Sequence, residues 1–275
     1  MKLRYLGTAA AEGIPALFCN CRVCQNALEK RGREVKTRSQ ALLDDTILID
    51  FPADTYMHML HLGLKLREIP YCIVTHSHSD HFQPEEFWCR LEGIAHGLGE
   101  EPMHIYLTES GYWEALECHG KNADGKRLKF HKIEAFSPFM IEDYRITPLK
   151  ANHDATASPV IFVIEHAAKA MLYANDTGIL PEESWDYLSK MKVKFDFISL
   201  DCTFMLKTGA RDGHMGLDSN REFHQRLIAL GFCDESTMVY VNHFSHNGLA
   251  THEELVEAAG KLGYGVSYDG LEVSF

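Results

Sequence analysis

The chain has 275 residues, of which 45% are hydrophobic and 24% are charged, and its formal net charge at pH 7 is −12. This balance argues against a nucleic-acid partner, because binding to a phosphate backbone requires a positive field and the sequence has no Lys/Arg cluster that outweighs its acidic groups. No apolar run approaches the roughly 20 residues of a membrane span, and the segment 1–7 lacks the apolar core of a signal peptide. We therefore expect a cytoplasmic protein that acts on a small molecule, and metal ions would allow that molecule to be anionic.

The first strand is predicted at 2–6 and leads through a Gly/Ala-rich loop to a cysteine cluster within about residues 15–28. The spacing Cys19-x-Cys21-x-x-Cys24 is typical of three ligands of a structural zinc. A fourth ligand is required, and His246 is the candidate. The alternative is three buried thiols without a metal. We expect no disulfides in a cytoplasmic protein, and we expect the other cysteines to be small buried hydrophobic residues: Cys72, Cys89, Cys118, Cys202 and Cys233.

Two strands at 40–43 and 46–49 are predicted to form a hairpin around Asp44 and Asp45, and Asp50 ends the second strand. A helix follows at 53–62. His58 and His61 lie three residues apart on it, but no third ligand adjoins them, so core or surface histidines are the favoured interpretation.

The segment Thr75–His81 follows a predicted buried strand at 71–74 and holds three histidines and an aspartate. Neutral imidazole and carboxylate are ligands for zinc, and also for manganese or iron. His76 and His78 can point to the same side of an extended segment, whereas Asp80 and His81 follow where the chain turns. One loop can therefore serve two adjacent metal ions. The alternative is a polar loop that is merely rich in histidine.

The remaining elements alternate between strands and helices, and no linker or repeat divides them. We expect a single domain over 1–275 with an α/β (α+β) fold, in which a two-sheet sandwich is covered by helices on both outer faces as four αββα layers. We predict Asp218 or Ser219 as the N-cap of the helix at 218–229, and a capping box from Thr251 to Glu254. The predicted helices lie at 84–95, 109–117, 181–190, 218–229 and 251–261. The predicted strands lie at 103–107, 128–133, 144–149, 160–165, 169–173, 195–200, 237–241, 266–268 and 271–275. The loops 119–126 and 203–213 have no assigned role.

Three further candidate ligands follow later strands, namely His153, Asp176 and His243. Each alone is weak, because a strand-end aspartate is often a turn residue and a single histidine often has no ligand role. Together they supply the additional ligands that metal ions at the histidine-rich loop require, since all three stand at strand ends.

This order of residues resembles the metallo-β-lactamase superfamily, which carries His-x-His-x-Asp-His followed by His, Asp and His at later strand ends on an αββα sandwich. The resemblance implies that His76, His78 and His153 hold one metal ion. It implies that Asp80, His81 and His243 hold the other, with Asp176 bridging. Asp50 matches an early strand-end aspartate that orients a ligand imidazole.

Within that superfamily the chain resembles the PhnP-type phosphoribosyl cyclic phosphodiesterases of phosphonate catabolism. That resemblance implies two active-site metals, a separate Cys3His zinc, a homodimer, and an additional active-site histidine at His214. Relatives that assist quinone-cofactor synthesis share part of the cysteine signature. The match rests on Gly7-Thr8, Gly13-Ile14-Pro15, Cys19, Cys21, Cys24, His246 and Tyr268-Asp269-Gly270.

We therefore expect a phosphodiesterase that opens a small cyclic phosphate, with two active-site ions (Zn or Mn, with Fe as a further option) and one structural Zn. A metal-bridging hydroxide would attack phosphorus in line. His214 would contact the phosphate or protonate the leaving oxygen. Asp80 is also predicted to be a catalytic residue. The rival hypotheses are a lactonase, thioesterase or nuclease on the same site, and a non-enzymatic accessory protein of cofactor biosynthesis.

Overall fold

Two β-sheets packed face to face form the centre of the structure, a computed structural model that describes residues 1–120 and 125–275. The first sheet has the strand order β14-β1-β2-β3-β4-β5-β6 and the second the order β13-β12-β11-β10-β9-β8-β7. The strands are β1 Lys2–Gly7, β2 Gln40–Leu43, β3 Ile47–Ile49, β4 Tyr71–Ile73, β5 Met103–Leu107, β6 Leu128–Lys132, β7 Phe139–Ile141, β8 Tyr144–Lys150, β9 Val160–His166, β10 Lys169–Ala174, β11 Phe197–Asp201, β12 Met238–Asn242, β13 Gly265–Val266 and β14 Glu272–Ser274.

Helices cover the outer faces of both sheets, so the predicted αββα sandwich is confirmed. The α-helices are α1 Arg22–Lys30, α2 Thr55–Leu62, α3 Glu109–His119, α4 Glu182–Leu188, α5 Leu217–Ala229 and α6 His252–Gly260. Short 3₁₀ helices span Gly32–Glu34, Leu66–Glu68, Pro84–Arg90, Ala155–Ala157 and His246–Gly248. The prediction of a single domain over 1–275 stays a prediction.

Three apolar layers hold the sandwich together, one between the sheets and one under each helical face. Strand β10 contributes to two of them, since Met171 and Tyr173 point between the sheets while Leu172 and Ala174 point toward the helices. Successive side chains of a strand alternate in direction, so a strand buried on both faces must be apolar throughout. This explains why the central strands read as continuous hydrophobic runs.

Several local predictions are confirmed. Asp44 and Asp45 form the hairpin turn with φ of 49° and 57°, and Thr251 caps α6 in a reciprocal pair with Glu254. His58 is buried and bonds to Gln40 and Thr37. The loop predicted at 119–126 lies partly outside the described residues.

Other local predictions are wrong. The segment predicted as a helix over 84–95 is a seven-residue 3₁₀ helix, Pro84–Arg90, because the proline start signal says nothing about how far a helix extends. Helix α5 begins one residue earlier than predicted, with Gly216 as its N-cap, and the Ser219 hydroxyl accepts the Gly216 N–H. Strand β7 was not predicted. Cys89 and Cys118 are exposed thiols, not buried ones.

The parallel strands place their carboxyl ends at a common edge of the sandwich. Strands β3 to β6 run parallel in the first sheet, and β10 to β13 run parallel in the second. Residues that directly follow these strands therefore meet at this edge, which is where binding sites form in such sheets. Among the described residues, no helix combines the length and apolar character that a membrane crossing requires.

Candidate metal centres

Seven side chains from strand ends converge at this edge and form two groups that share one carboxylate. Three of the strand-end positions adopt left-handed backbone, with φ of 67° at Asp50, 53° at Asp176 and 63° at His243. Such a backbone is sparsely populated for non-glycine residues and is concentrated at functional sites. It turns the chain sharply where each of the three strands ends.

The first group consists of His76, His78, His153 and Asp176, whose candidate ligand atoms all lie within 4.8 Å of one another. His78 Nδ1 lies 3.0 Å from His76 Nε2 and 3.1 Å from His153 Nε2. The carboxylate oxygen Oδ2 of Asp176 lies 3.1 Å from His76 Nε2. Three imidazole nitrogens and one carboxylate oxygen therefore face a common point.

The second group consists of Asp80, His81, Asp176 and His243, and all four are buried. His81 Nε2 lies 3.1 Å from His243 Nε2 and 3.4 Å from Asp80 Oδ2. It also lies 3.2 Å from Asp176 Oδ2. The structure thus brings together all seven of the predicted ligands, in the two sets that the family resemblance implies.

The chemistry of these donors fits divalent metal ions. Asp176 Oδ2 is nearly equidistant from His76 Nε2 and His81 Nε2, at 3.1 and 3.2 Å, so one oxygen faces both groups. Nitrogen and oxygen ligands of this kind suit zinc, manganese and iron. Burial and the adjacent His81 lower the pKa of His76 to about 4, and burial also lowers the pKa of His153. Both imidazoles are therefore neutral at pH 7, which is the form that binds metal.

A carboxylate and a threonine support the first sheet's histidines from behind. His81 Nδ1 lies 2.7 Å from Asp50 Oδ2, and the Thr75 hydroxyl donates to Asp50 Oδ1 at 2.9 Å. The same hydroxyl lies 3.0 Å from His76 Nδ1. These contacts fix which ring nitrogen of each histidine faces the metal side.

In the second sheet, Asp201 and Thr203 support His243 in the same way. The sequence interpretation missed both residues. Thr203 Oγ1 lies 2.8 Å from His243 Nδ1 and donates to Asp201 Oδ2 at 2.8 Å. Asp201 Oδ2 lies 3.3 Å from His243 Nδ1. The available signal was position, because Asp201 ends strand β11 as Asp50 follows β3.

His214 lies beside both groups and touches their shared carboxylate. Its Nδ1 lies 3.0 Å from Asp176 Oδ1 and 3.4 Å from Asp201 Oδ2, and its ring centroid lies 5.0 Å from that of His153 and 5.9 Å from that of His243. Burial lowers the pKa of His214, but the two carboxylates outweigh it and raise the pKa to about 10. Asp176, Asp201, His214 and His243 also form a set that could itself hold a metal ion.

The cysteine cluster forms a third, separate group with His246, and its four ligand atoms lie within 4.8 Å of one another. His246 Nδ1 lies 3.5 Å from Cys19 Sγ and 3.6 Å from Cys21 Sγ. Ligands of a tetrahedral zinc with standard Zn–S and Zn–N bonds lie about 3.6 Å apart, so this set fits zinc. Burial opposes ionisation of Cys21, but hydrogen bonds from the Cys24 N–H and from His246 lower its pKa to about 6.

A sequence-family model described as a β-lactamase superfamily domain matches residues 45–233. Among solved structures, the chain is similar to a diphosphatase from the PhnP family, with a TM-score of 0.71 and 20% identity over 100% of this chain and 97% of that one. It is also similar to Zn(2+)-bound PqqB from Methylobacterium extorquens, with a TM-score of 0.74 and 19% identity over 100% of both chains. The short form of human tRNase Z gives a TM-score of 0.64 and 17% identity over 100% of this chain and 99% of that one.

None of the curated proteins compared with the chain matches it. The structural likenesses establish the fold, and the family model covers well over half of the sequence, including His76, His78, Asp80, His81, His153 and Asp176. The chain belongs to the metallo-β-lactamase superfamily.

Proposed function

We propose that this protein is a metal-dependent phosphodiesterase that hydrolyses a small anionic phosphodiester, with a cyclic phosphate of the phosphoribosyl type as the first candidate. The observation that carries the proposal is the shared carboxylate. Asp176 Oδ2 lies within 3.2 Å of a histidine nitrogen from each group, which is the arrangement that two neighbouring ions require.

In this proposal His76, His78 and His153 hold one ion, Asp80, His81 and His243 hold the other, and Asp176 serves both. Ions bound there would polarise the phosphoryl oxygens and activate water at neutral pH. Asp50 and Asp201 keep the ligand imidazoles oriented, and the buried carboxylates lower the net charge of the loaded centre.

His214 is proposed to act on the leaving oxygen. Its Nδ1 faces Asp176 and Asp201, so Nε2 is the ring nitrogen left for a substrate. The side chain is 26% exposed, whereas those of Asp176 and Asp201 are 3% and 0% exposed. A leaving sugar hydroxyl requires a proton, and a partly exposed histidine held by two carboxylates can provide it.

The choice of a phosphodiester rests on features outside the ligand sets. The Cys3His group brings together all four predicted ligands, with His246 three residues after His243 in the chain, as expected for a PhnP-type enzyme with a separate structural zinc. Among the similar structures are a PhnP-family diphosphatase and a tRNase Z. The net charge of −12 favours a small substrate over RNA. A homodimer and a role in phosphonate metabolism remain part of the proposal.

Elemental analysis combined with turnover tests this function. We expect about three metal ions per chain, two for the shared-carboxylate sets and one for the Cys3His set. We expect hydrolysis of phosphoribosyl 1,2-cyclic phosphate or bis-p-nitrophenyl phosphate, and no comparable hydrolysis of lactones or thioesters. Faster turnover of a lactone or thioester would replace the phosphodiesterase with the corresponding hydrolase. A fully loaded protein that hydrolyses no ester at all would support the accessory-protein alternative.

A further inference from the structure

A cavity of about 510 Å³ lies next to the metal centres on the side of His153. It is lined by Asn152 and His153, by Thr108 at the start of α3, and by residues that follow β6. This volume falls within the range of small-molecule binding sites in proteins. Apart from His153, the residues that line this cavity belong to none of the metal centres described above.

Thr108 gives the cavity an unsatisfied polar group. Its side chain is 4% exposed, and its hydroxyl has no hydrogen-bond partner among the described residues. Thr108 occupies the N-cap position of α3, where a threonine hydroxyl normally bonds to the helix backbone, but this one does not. A buried hydroxyl without a partner is unfavourable. A ligand atom in the cavity could satisfy it.

The charges around the cavity restrict what can enter. Three carboxylates line it, those of Glu109, Glu134 and Glu183. Lys150 also lines it but is paired with Glu183 at 2.9 Å. Lys132, nearby, lies 3.6 Å from Glu109 and 3.5 Å from Glu134. The lining therefore carries an excess of negative charge, which repels a second phosphate and tolerates a neutral or cationic group.

The floor of the cavity is apolar and suits an organic group. Ile133, Ala135, Pro159, Val160 and Pro181 line it. Apolar walls with a small number of polar groups are typical of sites that bind and orient a small molecule.

We propose that this cavity binds the organic group of the substrate, and that this group is uncharged or cationic, of sugar or nucleoside size, with an oxygen or nitrogen that bonds to the Thr108 hydroxyl. The inference rests on the proposed function, because it assumes that the phosphoryl group lies at the metal centres beside His153. It narrows the substrate class to phosphodiesters whose organic part carries no second phosphate, and it therefore favours the cyclic phosphate of an unphosphorylated sugar or nucleoside over phosphoribosyl 1,2-cyclic phosphate, whose ribose bears a second phosphate.

Two chromogenic diesters test the cavity through activity. Thymidine 5′-(p-nitrophenyl phosphate) offers a nucleoside, and methyl p-nitrophenyl phosphate offers only a methyl group. We expect wild type to prefer the thymidine ester in kcat/KM, and Thr108→Val to reduce this preference about threefold to tenfold, the effect of one neutral hydrogen bond. Thr147 is the matched control, since it is buried and its hydroxyl also lacks a partner among the described residues, but it does not line the cavity. Thr147→Val should keep the preference.

A variant that fills the cavity provides an independent test by calorimetry on the metal-loaded protein. We expect thymidine 5′-monophosphate to bind more tightly than inorganic phosphate, thymidine 3′,5′-bisphosphate to bind more weakly than the monophosphate, and Ala135→Trp to remove the advantage of the nucleoside. Equal or undetectable binding of monophosphate and phosphate to wild type would overturn the inference, as would an advantage that persists in Ala135→Trp.

The two proposals fail in different ways. Binding that depends on the cavity, without hydrolysis of any diester, would remove the phosphodiesterase and keep the cavity as a ligand site. Hydrolysis of both diesters, with a preference that neither Thr108→Val nor Ala135→Trp changes, would keep the enzyme and remove the cavity from its specificity.

Discussion

The cysteine group and the histidine–aspartate groups each take one ligand from the segment His243–His246, yet they are built differently. The cysteine group takes three ligands from the six residues Cys19–Cys24 and adds His246. The histidine–aspartate groups collect seven ligands from loops that follow four strands. The first is a closed set of soft ligands, typical of structural zinc, whereas the second adjoins a partly exposed histidine and a cavity. The cysteine group therefore depends mainly on close spacing in the sequence, whereas the histidine–aspartate groups depend on the fold to bring distant ligands together.

Backbone pairing connects the two regions. Ala10 N–H donates to the Phe244 carbonyl at 2.9 Å, and Phe244 N–H donates to the Thr8 carbonyl at 2.8 Å. Glu12 accepts from the Ser245 hydroxyl and lies 3.6 Å from His246 Nε2. The segment that carries His243 and His246 is therefore anchored to the first loop of the chain. The two regions can be tested separately only if each keeps its metal when the other is disrupted.

Asp176→Asn should have the largest effect on turnover. Asparagine keeps the volume but removes the charge that both ligand sets share, so both ions should be lost while the Cys3His zinc remains. We expect turnover to fall about a thousandfold or more, since metal-ion catalysis contributes several kcal/mol. Elemental analysis should record about one metal per chain. Glu34→Gln, at a buried carboxylate outside both regions, is the control; an Asp176 variant that retains both ions would refute the bridging role.

His214→Ala should lower turnover by about a hundredfold or more, the typical worth of a general acid. The metal content should not change, because His214 lies outside both predicted ligand sets. His224→Ala removes a half-buried histidine that bonds to Tyr264 and should remain close to wild type. If metal content fell in step with activity, His214 would be a ligand instead of an acid.

Asp201→Asn should have an intermediate effect. It weakens the support of the His243 imidazole, and the loss of such a supporting carboxylate typically costs about 10- to 100-fold in metal affinity or activity. Asp50→Asn should act similarly through His81, since each carboxylate lies behind one histidine of the same set. Competition with a chelator measures both affinities. Unchanged metal affinity in the two variants would show that these carboxylates serve folding alone.

Cys21→Ser should affect turnover least and stability most clearly. Loss of a thiolate should release the structural zinc, and the binding free energy of such an ion contributes to folding. We expect a lower melting temperature, two retained active-site ions and near-normal turnover of the folded protein. Cys118→Ser, at an exposed cysteine, should change none of these. Coupled loss of all three ions would show that the two regions form one unit.

The sequence was sufficient to identify the candidate ligands and the supporting Asp50, but not the supporting residues of the second sheet. His76 to His81 could be identified because the motif is dense and follows a strand, and His153 and Asp176 because they share that strand-end position. Asp201 and Thr203 contact His243, some 40 residues away, so their contacts become visible only when strands β11 and β12 are paired, although the strand-end position of Asp201 was a signal. The cavity beside Thr108 depends on how α3 packs against the 3₁₀ helix Ala155–Ala157 that follows β8, which no local pattern encodes.

Anomalous scattering at the zinc edge, from crystals of protein supplied with zinc, tests directly whether the Asp176 carboxylate holds two ions. We expect two peaks flanking the Asp176 carboxylate, one next to His76, His78 and His153 and the other next to Asp80, His81 and His243. A third peak should lie among Cys19, Cys21, Cys24 and His246. A single peak at the histidine–aspartate edge, or none, would contradict a centre in which one carboxylate holds two ions.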